Sequence, residues 1–188
     1  MIVTAKFYFL KPNNKMWRDM TFSVADLIAQ SLYFIFPAYC ANAIPVLLGR
    51  GLPMDLGRNF IDGKPLFGSH KTFRGFFSGL LIGTFIGIVQ SNLPIFQPPH
   101  VLLGFILSLG ALTGDLIHSF VKRRLGLPPG ASFPVADQLD FVVGSLFFSL
   151  FVSPPSLPVA IVILIVTPPI HLLTNYTAYR LGMKKEPF

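Results

Sequence analysis

The chain has 188 residues, 52% hydrophobic, 14% aromatic and only 12% charged, with a mean hydropathy of +0.63. Soluble domains carry about a quarter charged residues, so this composition excludes an ordinary water-soluble protein. The net charge of +7 comes without a long Lys/Arg tract, which argues against nucleic acid and for anionic lipid heads or phosphate ligands, and the single Cys40 rules out an internal disulfide.

Residues 1–20 show no clear pattern, although they carry Lys6, Lys11, Lys15 and Arg18, and Met16 is a possible alternative start. The first apolar segment, 24–48, contains Pro37, Asn42 and Pro45 and is expected to kink or end early. Ala41-Asn42-Ala43 resembles a small-residue cleavage site, but Pro45-Val46-Leu47-Leu48 continues a run already long for a signal peptide, which favours a retained span. The second segment, 75–93, sets Gly75, Gly79, Gly83 and Gly87 four residues apart, a stripe that lets helices approach closely in lipid.

The third segment covers 101–121. A fourth, 135–152, has its apolar part at Phe141–Val152 and is short for a span unless the helix begins near Val135. The fifth, 157–178, carries Pro168-Pro169 midway. The predicted fold class is an all-α integral membrane protein, a single polytopic domain of residues 1–188 with about five transmembrane helices joined by polar loops.

Charge sets the expected orientation. Arg50, Arg58, Lys64, Lys71 and Arg74 lie in loop 50–74, Lys122, Arg123 and Arg124 open loop 122–134, and Arg180, Lys184 and Lys185 lie in the tail. The alternate loops, 94–100 and 153–157, have no Lys or Arg. The positive-inside rule therefore puts the basic loops and the C-terminus in the cytoplasm of a multi-pass cell-membrane protein. Residues 1–20 would then be extracytoplasmic, against the rule, but three basic segments outweigh one tail.

Only 8 acidic residues are present, and three of them, Asp115, Asp137 and Asp140, lie in or beside apolar segments. Each carboxylate near mid-bilayer costs about 2.5–3.5 kcal/mol, so all three need neutralising, by Lys122-Arg123-Arg124 or by a divalent metal. A first polar cluster, Phe67-Gly68-Ser69-His70-Lys71-Thr72-Phe73-Arg74-Gly75, precedes a helix whose N-terminus favours anions. Lys71, Thr72, Arg74 and Ser69 are candidate phosphate donors there. The Walker A spacing is missing, and a basic loop touching lipid phosphates is the plainer alternative.

In a second cluster Asp115, His118, Ser119 and Lys122 fall at i, i+3, i+4 and i+7 and share one helix face. An ion pair that only fixes packing, with His118 packed or carbonyl-bonded, is the alternative. In the third, Asp137 and Asp140 are three residues apart at a helix start, where capping is the alternative. Together the three clusters describe a cytoplasm-facing cavity with acids for Mg2+ and cations for phosphates, and no Cys/His set supports zinc.

At these residues the chain resembles the CDP-archaeol synthases, archaeal relatives of the CTP:phosphatidate cytidylyltransferases. The resemblance covers most of 37–188. It rests on Asn42-x-x-Pro45, Phe67-Gly68-x-x-Lys71-Thr72-x-Arg74-Gly75, Gly114-Asp115, Ser119-Phe120-Val121-Lys122-Arg123-Arg124, Pro134-x-x-Asp137-Gln138-Leu139-Asp140 and His171-x-x-x-Asn175-x-x-x-Tyr179-x-Leu181-Gly182-x-Lys184. Ser-x-φ-Lys-Arg and Asp-x-φ-Asp of the wider family are kept, whereas its His-Gly-Gly element is absent and Gln138 replaces the usual Arg. The resemblance implies an enzyme joining CTP to 2,3-bis-O-geranylgeranylglycerol 1-phosphate, giving a CDP-lipid and pyrophosphate. It implies Asp115, Asp137 and Asp140 as Mg2+ ligands and catalytic groups with Lys122. Lys71, Arg74, Arg123, Ser69, Thr72 and Ser119 would meet phosphates, and Asn42 the nucleotide or lipid head. Two rivals are a CTP-dependent lipid kinase, which needs a base that only His118 supplies, and a small ion-coupled transporter.

Overall fold

The computed structural model describes residues 24–93, 95, 101–129 and 131–183. Five helices follow one another: α1 Val24–Leu48, α2 Phe73–Ser91, α3 Val101–Arg124, α4 Ala136–Ser149 and α5 Leu157–Arg180. The expected all-helical membrane fold is therefore present, and the described residues hold no strand, only the isolated bridges Pro53–Thr72 and Asn59–Pro65. The expectations for residues 1–20, for Lys184 and Lys185 and for most of loop 94–100 fall outside the described residues.

Four helices, α1, α2, α3 and α5, are long and apolar enough to cross a membrane. The fourth has only 14 residues, about 21 Å of helix, against a hydrocarbon core of about 30 Å. It begins at Ala136, one residue after the earliest expected start, and ends three residues before Val152. Its start follows a tight γ-turn in which the Ala136 N–H donates to Pro134 O at 2.8 Å. Val135, at the centre of that turn, has φ 67° and ψ −50°, a strained conformation for a β-branched residue. By contrast α3 runs three residues beyond the expected 121. A glycine stop ends it: Gly126 has φ 79°, its N–H donates to Arg123 O, and the Leu127 N–H donates to Lys122 O.

The prolines inside α1 and α5 do not break those helices. Pro37 leaves the Tyr33 carbonyl without its helical donor, and Gln90 Nε2 of α2 donates to it at 2.7 Å. Tyr33 returns the bond from its hydroxyl to Gln90 O at 3.1 Å. A neighbouring helix thus satisfies the carbonyl that Pro37 frees, as lipid requires. Tyr39 closes another polar contact: Thr167 Oγ1 donates to Ile163 O, so the Tyr39 hydroxyl donates to Thr167 Oγ1 at 2.8 Å.

The buried core lies where α1, α3, α4 and α5 meet, around Ile35, Leu107, Phe141, Val142 and Ile163. Large apolar side chains such as Phe77, Leu81, Phe85, Phe147 and Ile165 point outward. Lipid is as apolar as these side chains, so close backbone contact rather than apolar burial must hold the helices together. The α2 stripe supplies it, since Gly75, Gly79, Gly83 and Gly87 are all buried. A Cβ on Gly79 would stand 2.5 Å from Ala41 O, and one on Gly87 would stand 2.6 Å from the Gly104 Cα.

The tightest crossing joins α3 to α4. A Cβ on Gly110 would lie 2.6 Å from Gly144 O, and one on Gly114 would collide with the carbonyl oxygen of Asp140. Gly114→Ala is therefore expected to force α3 and α4 apart at a cost of about 1–3 kcal/mol. Thermal unfolding in detergent, compared with the native sequence, measures it as a clear drop in midpoint.

Candidate functional site

The α3–α4 crossing lays Asp140 beside the turn of α3 that carries Asp115. Asp115 sits nine residues before the end of α3, about 14 Å along the helix. Three carboxylates thus share one region, and each is treated differently. Lys71, from the α1–α2 loop, grips both oxygens of Asp115, at 2.6 and 2.5 Å. Lys122 holds both oxygens of Asp137, at 2.8 and 3.0 Å. His118 Nε2 reaches Asp137 Oδ1 at 2.6 Å, and the Phe133 N–H donates to Asp137 Oδ2 at 2.7 Å. Asp140 has no ion pair among the described residues; the Phe141 N–H donates to it at 2.5 Å, and Asp115, Asp137 and Lys71 all lie within electrostatic reach.

Arg123 completes the set. It is 5% exposed, interacts electrostatically with Asp137, and its Nη1 is buried with no hydrogen-bond partner. Three carboxylates therefore face Lys71, Lys122 and Arg123, so the formal charges balance, as burial in a low-dielectric region demands. Ligand atoms of His118, Asp137 and Asp140 lie within 4.8 Å of one another, a spacing that suits a metal ion. The expected trio was Asp115, Asp137 and Asp140. His118 joins the compact group instead, while the carboxylate of Asp115 is held by Lys71.

The remaining expected residues scatter around this centre. Thr72 is buried and caps α2: its hydroxyl accepts from the Gly75 N–H at 3.1 Å and donates its one proton to Gly49 O at 2.9 Å. Ser69 is exposed on the same loop and Arg74 on the first turn of α2, Ser119 is buried on α3 and Asn42 is half-buried on α1. In the α5 motif, Asn175 Nδ2 and His171 Nδ1 are 3.1 Å apart and the His171 ring lies 6.1 Å from Phe141, the residue after Asp140.

Two residues that shape the site were not among the candidate site residues: Asp55 was not singled out, and Arg124 was named only as part of the Lys122-Arg123-Arg124 cluster. Asp55, 5% exposed, accepts three backbone N–H groups: Gly57 at 3.0 Å, Phe67 at 3.2 Å and Gly68 at 2.8 Å. It ties the start of the α1–α2 loop to the segment that leads into Lys71, and Met54 N–H donates to Lys71 O at 2.7 Å beside it. Arg124 is the other, bonded to the same loop through Asp62 at 2.9 Å. Both carboxylates sit in Asx turns, Asp55-Leu56-Gly57 and Asp62-Gly63-Lys64, and that pattern was the available clue.

Comparison with known proteins gives a consistent result. The family model described as "CarS-like: CDP-archaeol synthase" matches residues 24–188. A CDP-archaeol synthase of Methanocaldococcus jannaschii is 44% identical over 169 residues, covering 84% of this chain and 96% of that protein. One from Pyrococcus furiosus is 43% identical over 164 residues, covering 86% and 98%. A solved structure of an intramembrane enzyme for archaeal membrane lipids biosynthesis superimposes with a TM-score of 0.73 at 34% identity, covering 79% of this chain and 94% of that one.

The Asp55 knot has a pH signature. Burial raises its pKa, but the N–H donors of Gly68, Gly57 and Phe67 outweigh burial and hold it below the usual 3.8. A lowered carboxylate pKa stabilises the fold fully above the ordinary value, and that contribution disappears as pH falls through the lowered one. Asp55→Asn is therefore expected to lose about 1–3 kcal/mol at neutral pH. The gap between variant and native sequence should close on acidification below about pH 4, read from thermal midpoints across a pH series.

Proposed function

This chain belongs to the CDP-archaeol synthase family, and on that premise we propose how its residues carry out cytidylyl transfer. It is a multi-pass membrane enzyme that joins CTP to the phosphate of 2,3-bis-O-geranylgeranylglycerol 1-phosphate, releasing pyrophosphate and the unsaturated CDP-archaeol. A lipid phosphate oxygen bonds to the α-phosphorus of CTP while the bond from that phosphorus to the bridging oxygen of the β-phosphate breaks. The attacking phosphate is already ionised at neutral pH, so positioning and charge neutralisation carry the catalysis without a strong general base.

One observation supports this assignment of roles best. A carboxylate without an ion pair among the described residues, Asp140, lies in the same cluster as a guanidinium nitrogen without an acceptor, Arg123 Nη1. Buried polar groups left this way ask for a ligand that carries both a cation and an anion. Metal-loaded nucleotide is such a ligand. Asp137 and Asp140 would hold Mg2+, with His118 from the compact group and Asp115 as the further acid. Oxygen donors suit Mg2+, whose usual partners are one or two carboxylates and phosphate oxygens. Held there, Mg2+ would supply Lewis-acid polarisation of the α-phosphoryl group and charge neutralisation for the leaving pyrophosphate.

The cations take the phosphates. Lys71 and Lys122 sit at the acids already, and Arg123 offers the unmatched donor. Ser69 on the loop and Arg74 on the first turn of α2 stand exposed, suited to the triphosphate as it enters, and Ser119 adds a hydroxyl from α3. Asn42 is assigned to the nucleotide or lipid head. Thr72 acts as the α2 cap that sets the direction of Lys71 and Arg74. The basic loops and the C-terminus are assigned to the cytoplasm, where CTP is made, with residues 1–20 outside and the whole chain acting as one polytopic domain.

The test is direct. Purified protein incubated with cytidine-labelled CTP, Mg2+ and geranylgeranylated glycerol phosphate should yield a labelled CDP-lipid on thin-layer chromatography; a labelled lipid diphosphate formed from γ-phosphate-labelled CTP would instead indicate a kinase. Asp137→Asn and Asp140→Asn should each lower kcat by about 100-fold or more. Normal turnover by the double variant would overturn the assignment.

A further inference from the structure

Arg124 directly follows the two cations assigned to phosphates, yet its surroundings differ from theirs. Nη1 donates to Asp62 Oδ1 at 2.9 Å, and Nη2 donates to Lys64 O at 3.2 Å and Pro65 O at 2.5 Å. Its guanidinium carbon lies 4.9 Å from the Phe60 ring centre and 4.7 Å from that of Phe120. The two rings meet edge to face at 5.3 Å. Lys64 closes the circle, donating from Nζ to Arg124 O at 3.0 Å. Every one of these partners except Phe120 belongs to the short hairpin around Asn59–Pro65, which a Phe60 N–H to Lys64 O bond of 2.8 Å closes.

The hairpin is continuous with the part of the loop that bears Lys71. Leu66 N–H donates to Arg58 O at 3.3 Å, and the next residues, Phe67 and Gly68, donate to Asp55. Met54, beside Asp55, donates to Lys71 O. A fork of donors, a carboxylate and two aromatic faces together fix a planar cation far more rigidly than a single ion pair does. We propose that Arg124 is a positioning residue, a latch that pins the 59–65 hairpin to the end of α3 and thereby sets where Lys71 meets Asp115 and the incoming triphosphate. It does not itself touch substrate. The inference rests on the cytidylyl-transfer reading of the site.

The latch can be opened from either side. Arg124→Ala removes the fork, and Arg124→Lys keeps the charge but not the fork. The Phe60→Leu, Asp62→Asn double variant leaves Arg124 in place and removes the carboxylate and one of the two rings it holds. All three should raise KM for CTP about tenfold, with kcat at saturating CTP within about threefold of the native value. Without any substrate, all three should also be cut faster by trypsin after Arg58. A phosphate ligand would behave otherwise: Arg124→Lys would recover and the hairpin double variant would keep the native KM.

Either of those two results overturns the latch, as does an unchanged trypsin rate. If Arg124→Ala does not fold, the hairpin double variant carries the test. Should the native protein make no CDP-lipid, the functional reading fails, and the trypsin comparison still decides whether the hairpin is pinned.

Discussion

The contact between α3 and α4 is the constraint on which the rest of the molecule depends. Gly110, Gly114 and Gly144 allow two backbones to touch without side chains between them, and the carbonyl of Asp140 lies against Gly114. In lipid such contact is a main source of helix association, because apolar side chains gain nothing by leaving hydrocarbon for one another. Here it has a second effect. Asp140 is brought next to the turn that bears Asp115, and two carboxyl groups that repel one another when ionised are held side by side. Packing energy from glycine therefore opposes electrostatic repulsion.

The cations that offset the repulsion come from different parts of the chain. Lys122 and Arg123 arrive with α3, about two turns beyond Asp115, but Lys71 reaches in from a loop that has no helix of its own. That loop is held by an unusual share of side-chain to backbone bonds: Asp55 on three N–H groups, Thr72 on Gly49 and Gly75, Arg124 on two carbonyls. A regular element would have buried Lys71 in a fixed ladder. A stapled loop delivers it to Asp115 while leaving Ser69 and Arg74 open to solvent.

Much of this was legible in the sequence. Four helix-length apolar runs, a glycine stripe at four-residue spacing and three acids among few are features of the chain read in one dimension, and the helices and the buried face of α2 follow from them. Asp137 with Lys122 was not legible as a pair, since helix periodicity placed Lys122 on the face of Asp115, whereas Asp115 is met from the loop by Lys71. Periodicity describes one helix; it carries no information about which loop folds over it. The short α4 was half-visible, because its apolar part was short, but the strained Val135 that starts it is a choice imposed by Asp137, Phe133 and Pro134 acting together. Asp55 was missed for a related reason: its partners are backbone groups, which every residue possesses and no residue type announces.

A helix packed among the spans but some 9 Å shorter than the hydrocarbon is thick would have a mechanical consequence for the surrounding bilayer. Lipids beside it must pucker inward, or water must follow the notch, because neither can leave polar backbone facing oil. Such a dimple would lower the anionic end of a neighbouring lipid toward the acids and let its prenyl tails stay where they were. The substrate need only sink, never be lifted out, and membranes of greater thickness would make that descent harder.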